Sequence, residues 1–129
     1  MIEAEYRELL GGAIPSPRQL VVDRYVDGFR AGDHTAILGC LTDDVTWDIV
    51  GHATAAGRGE FEALVDGPPG ASLPRLTVER AVEEDDVVAV FGAGEFDDTD
   101  GAVQTFRFAD LFTFRGDLIC AVVSYVVPT

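Results

Sequence analysis

The sequence predicts a single α+β domain in which helices pack on one face of a curved antiparallel sheet. Three observations predict it. Apolar residues recur at helical spacing only in the first half of the chain, whereas everything after Pro74 alternates with period two. Turns rich in Gly and Asp divide that second half into four strands. The chain has 129 residues, 47% of them hydrophobic, which is enough to bury one core. Residues 1–16 read as an N-terminal extension and residues 17–129 as the domain.

Residues 3–10 can form a short helix, broken by Gly11, Gly12 and Pro15. A stronger start follows: Ser16 can cap, Pro17 suits the first helical position, and Gln19 completes a capping box. Val22, Tyr25, Val26 and Phe29 then recur along one helix face until Gly32. Asp33 can cap a second helix over 35–41. After Asp43-Asp44 the chain reads as a strand over 45–50, a hairpin region over 51–59 and a short helix over 60–65. Residues 66–70 form a loop by their Gly and Pro content. Strands follow over 75–83, 87–96, 103–114 and 118–127. Asp100-Gly101 closes one of the intervening turns, because Gly supplies the positive φ that a tight hairpin needs.

The formal net charge is −14 and the sequence pI about 4.2. That balance repels phosphate backbones and anionic membranes, so neither nucleic acid nor membrane is expected as a partner. All nine basic residues are Arg, which excludes a Schiff base on a lysine side chain. The start Met1-Ile2-Glu3-Ala4-Glu5 is acidic where an export signal would be basic, so a cytoplasmic location is expected. Cys40 and Cys120 are isolated and read as reduced thiols. His34 and His52 match no metal-ligand spacing, so no bound metal is expected. Ser16, Ser72 and Ser124 lie outside any Gly-x-Ser-x-Gly setting, and no Gly-rich phosphate loop opens a helix. A nucleophilic hydrolase and a nucleotide cofactor are both disfavoured. No cofactor is expected.

The strand over 103–114 carries the strongest chemical signal. Alternation puts Phe106, Phe108, Asp110, Phe112 and Phe114 on one face, and Thr105, Arg107, Ala109, Leu111 and Thr113 on the other. Four phenylalanines mark the buried face, so Asp110 must find a partner there or hold its proton. The alternative is a bulge that turns Asp110 outward, or an Arg that neutralises it. Tyr25 lies in the apolar stripe of the first long helix, and a buried phenol needs a polar neighbour. Asp48 falls between Trp47 and Ile49. If Trp47 lines the core, Asp48 points to solvent; if the strand kinks, Asp48 enters a pocket mouth. His52 lies just beyond that strand.

Several motifs together resemble the nuclear transport factor 2-like superfamily, in its SnoaL-like and ketosteroid-isomerase-like branch. They are Val22-Asp23-Arg24-Tyr25-Val26 with Arg30-Ala31-Gly32-Asp33, and Leu41-Thr42-Asp43-Asp44-Val45-Thr46-Trp47. Gly57-Arg58-Gly59-Glu60-Phe61 and Ala109-Asp110-Leu111-Phe112-Thr113-Phe114 complete the set, which spans most of residues 17–127. The resemblance implies a cone: a strongly bent antiparallel sheet wrapped over three helices, with one pocket at its open end. It implies enolization of an apolar carbonyl compound, as in ketosteroid isomerases or polyketide cyclases. Tyr25 and a protonated Asp110 would then form an oxyanion hole, with Asp48 as the base. Asp48 matches that base only if one residue is skipped between Asp44 and Gly51; ungapped, Ile49 falls there. Phe29, Trp47, His52, Phe61, Phe108 and Phe112 are the candidate ligand contacts, the ligand being an apolar small molecule. Epoxide hydrolysis ranks lower, because Arg107 faces away from Asp110 and the last strand has no acid. A rival of another class is a non-catalytic binding module or dimeric scaffold. Relatives pair through their sheets, so a homodimer is implied, with Thr105, Arg107 and Thr113 on the outer face.

Overall fold

The computed structural model describes residues 14–129, so the helix expected over 3–10 lies outside the described residues. Helix α1 (Pro17–Ala31) begins where the capping box predicts. Ser16 Oγ accepts from the Gln19 N–H at 3.1 Å, and the Gln19 side chain accepts from the Ser16 N–H at 3.2 Å. Val21, Val22, Tyr25 and Val26 form its buried stripe. Asp33 caps α2 (His34–Leu38) by accepting from the Ala36 N–H at 3.0 Å.

The second helix ends earlier than its sequence predicts, because Leu41 is already paired with Ile119 as the first residue of β1 (Leu41–Ile49). Asp43 and Asp44 are therefore exposed residues within the strand, which starts four residues earlier than expected. Strand β2 (Ala53–Ala56) returns antiparallel to β1, and α3 (Arg58–Ala63) follows. His34 ties the helices together: its Nδ1 lies 3.0 Å from Glu62 Oε2 and its Nε2 2.9 Å from Asp66 Oδ1.

Strands β3 (Arg75–Glu84), β4 (Val87–Asp97), β5 (Val103–Arg115) and β6 (Leu118–Pro128) form an antiparallel meander, as predicted. The whole sheet is mixed, in the order β2-β1-β6-β5-β4-β3, because β1 docks parallel to β6. A same-direction pair needs a long crossover, and the rest of the domain supplies it. Ile37, Leu41, Val45, Phe61, Val88, Phe112 and Ile119 are fully buried between the helices and the inner face of the sheet. No helix among the described residues is long and apolar enough to cross a membrane.

Two devices shape the inner face. The register shifts between Val78 and Arg80 in β3, at Cys120 in β6 opposite Thr113 and Phe114, and between Leu41 and Thr46 in β1; such bulges bend a strand. In β4, Gly92 and Gly94 let the rings of Phe108 and Phe106 cross the sheet. A Cβ on Gly92 would lie 2.8 Å from Phe108 Cζ and 2.2 Å from the Thr77 carbonyl oxygen. One on Gly94 would lie 2.3 Å from Phe106 Cζ. Backbone and ring approach here more closely than any side chain permits.

Gly92→Ala should accordingly lower the free energy of unfolding by about 1–3 kcal/mol, read from urea denaturation. Gly59→Ala, at a position with no atom within 4 Å of the added methyl, should leave it unchanged or raise it slightly.

Candidate active site

The inner face of β5 delivers the acid. Period-two alternation turns Asp110 inward, flanked two residues away on each side by Phe108 and Phe112. Across the sheet it pairs with Val90 of β4 and Ser124 of β6. Arg107 takes the outer face and pairs with Glu79, so it does not neutralise Asp110. Burial raises the Asp110 carboxyl to about 6, opposed by a hydrogen bond from Ser124 that favours the carboxylate. The shift is in the direction expected for an acid held among apolar side chains.

Helix α1 delivers the phenol. Tyr25 is 3% exposed, and its ring packs 5.0 Å from Phe29, 5.0 Å from Phe112 and 6.3 Å from Phe61. Burial pushes its hydroxyl well above the ordinary tyrosine range, with further increments from the negative charges of Asp110 and Cys40. Tyr25 therefore keeps its proton and is a hydrogen-bond donor at any working pH.

Trp47 links the two. Its ring stacks on Phe61 at 4.4 Å and meets Phe29 edge-on at 6.0 Å. Its Nε1–H donates to Ser124 Oγ at 2.9 Å, and Ser124 is the cross-strand neighbour of Asp110. Tyr25, Phe29, Trp47, Phe61 and Phe112 thus form one aromatic cluster, with Ser124 and Asp110 at its polar end.

Asp48 and His52 stand apart from this cluster. Asp48 is exposed on the face of β1 opposite to Trp47 and pairs with Thr54. Strand β1 carries no kink at this point, so alternation sends the carboxyl outward. His52 is exposed in the β1–β2 turn, where its N–H donates to the Ile49 carbonyl. Ser124 is the member that sequence reading missed. Its sequence signal is alternation: Ser124 shares a strand face with Val122 and Val126, and a single hydroxyl on that apolar face marks a buried polar role.

A model of the SnoaL-like domain family matches residues 22–122. Among solved structures, TerC co-crystallised with polyporic acid superposes with a TM-score of 0.77 at 25% identity, over 84% of this chain and 90% of that one. A Xanthomonas campestris pv. campestris protein with a provisional polyketide-cyclase assignment gives 0.76 at 20% identity, over 84% and 89%. A Kribbella flavida protein provisionally assigned as a ketosteroid isomerase gives 0.70 at 16% identity, over 85% and 77%. No curated protein matches the sequence significantly.

A carboxyl whose folded-state value is raised costs stability once it ionises. Its ordinary value is 3.8 and its folded value about 6. The cost is therefore complete above pH 6, fades between pH 6 and 4, and is absent below pH 4. Asp110→Asn should stabilise the fold on the order of 1–3 kcal/mol at pH 8 and give no advantage at pH 3.5. Paired urea titrations at the two pH values measure the difference.

Proposed function

The chain belongs to the SnoaL-like domain family, and from that premise we propose that it enolizes an apolar carbonyl compound, with Asp110 moving the proton and Tyr25 holding the oxygen. The observation that carries this reading is a carboxyl near pH 6 set beside an un-ionised phenol inside an aromatic cluster. A base is most useful when its pKa lies close to the working pH.

In the proposed mechanism the Asp110 carboxylate removes the proton next to the substrate carbonyl, and the C–H electron pair moves into the enolate. The Tyr25 hydroxyl donates to the oxygen on which negative charge develops. Such a donor, aligned beforehand in a site poor in water, stabilises the transition state more than the ground state. Protonated Asp110 then returns the proton at a second position. The same enolate serves a double-bond shift or a ring closure. Phe29, Trp47, Phe61, Phe108 and Phe112 supply the apolar wall. One acid thus does the work that the resemblance divides between Asp48 and Asp110, because the two carboxylates lie on opposite faces of the sheet. The likeness to TerC, crystallised with polyporic acid, supports a small-molecule ligand.

We also propose that the chain pairs through its outer sheet face. Phe91, Ala109 and Tyr125 form one cross-strand row there, beside Ala89, Leu111 and Val123. Phe91 is 41% exposed and Tyr125 47%, an apolar row of the kind that marks an interface.

Two experiments test these readings. Deuterium exchange from solvent into the α-position of 2-tetralone, followed by NMR, should be catalysed by the wild type. It should fall about 100-fold in both Asp110→Asn and Tyr25→Phe; unchanged rates in both variants reject the mechanism. Sedimentation velocity at micromolar concentration should show a dimer that Phe91→Asp converts to monomer, and a wild-type monomer rejects the pairing.

A further inference from the structure

We propose that Ser124 is a positioning residue for Asp110, holding one carboxyl oxygen and confining the transferable proton to the other. Its catalytic consequence rests on the enolization reading, whereas its physical core is measurable without a substrate.

The indole Nε1–H of Trp47 can only donate, and it lies 2.9 Å from Ser124 Oγ, so the serine oxygen is the acceptor in that bond. A hydroxyl has a single proton. With its oxygen occupied by Trp47, that proton is directed at the carboxyl of Asp110, the residue directly opposite on β5. Ser124 is 4% exposed and Trp47 8%, so bulk solvent offers the hydroxyl little competition. The chain of bonds has one sense: Trp47 to Ser124 to Asp110.

That sense has a consequence for proton placement. The Asp110 oxygen that accepts the hydrogen bond from the serine hydroxyl is the less basic of the two. A proton taken from a substrate settles on the other oxygen, and the next transfer starts from there. Facing Asp110 among the described residues are Ser124 on β6, the un-ionised phenol of Tyr25 on α1 and apolar Val90 on β4. No cation among them contributes to its ionisation. The serine hydroxyl is therefore the group that stabilises the carboxylate, and the indole fixes which way that hydroxyl points.

The test is a pH titration of the Asp110 carboxyl carbon by NMR, in wild type, Ser124→Ala, Ser124→Thr and Trp47→Phe. The wild-type midpoint should lie near 6. Ser124→Ala should raise it by about one pH unit or more, since a hydrogen bond to a charged group is lost. Ser124→Thr retains the hydroxyl and should restore it. Trp47→Phe keeps an aromatic ring against Phe61 but frees the serine hydroxyl to turn, and should raise the midpoint by a smaller amount. An unmoved midpoint in Ser124→Ala overturns the proposal. Should that variant not fold, an unmoved midpoint in Trp47→Phe does the same. The acid limb of the kcat/KM profile for 2-tetralone exchange should move with the midpoint. A midpoint that moves while Asp110→Asn retains full exchange activity keeps the positioning role and removes the enolization reading instead.

Discussion

Strand parity in β5 is the constraint from which the site follows. Phe112 and Phe114 must be buried for the core to close, and with the period fixed at two, Asp110 has no route to solvent on the other face. A slip of one residue would bury Arg107, Ala109 and Leu111 and expose every phenylalanine of the strand. The apolar core therefore holds its own carboxylate in place. What surrounds that carboxylate then sets its chemistry. A guanidinium beside it would lock it as an ion and remove it from proton exchange near neutrality. A neutral serine compensates only part of the desolvation, which leaves the group close to the midpoint of its titration.

The aromatic cluster serves packing and the proposed chemistry with the same contacts. Its members come from α1, β1, α3 and β5, so the rings that fasten two helices to the sheet also hold the phenol against the strand that carries the acid. Offset and edge-on aromatic pairs of this kind each add about 0.5–1.5 kcal/mol beyond the area they bury. A site embedded in such a framework needs no ligand to organise it. The converse also holds, since changes to these rings disturb core and chemistry together.

Much of the fold was legible in the sequence because local signals agree with the global arrangement. Ser16, Pro17 and Gln19 mark the start of α1, and Asp100-Gly101 marks the turn before β5. Alternation alone found the inner face of β5. Local rules failed where long-range pairing decided the outcome. The early end of α2 depends on Leu41 meeting Ile119, and the parallel docking of β1 on β6 has no local signature. In the site, Tyr25 and Asp110 could be read from periodicity, each on its own element. Asp48 is one of two alternatives that its alternation with Trp47 already contained. Ser124 became visible only when a residue on β1 and another on β5 were both seen to contact it, and such a three-strand meeting cannot be read from spacing.

The parallel pairing of β1 with β6 also orders events in time. Trp47 and Ser124 are separated by 77 residues, and the strand carrying Trp47 has no partner on that side until β6 has been synthesised. Helices and the first hairpin emerge from the ribosome early, yet must wait for the final strand before the indole has a hydroxyl to bind. Such non-local closure slows folding and leaves an apolar strand edge open meanwhile. Until β6 docks, the edge of β1 stays unpaired on that side and the bond between Trp47 and Ser124 is absent.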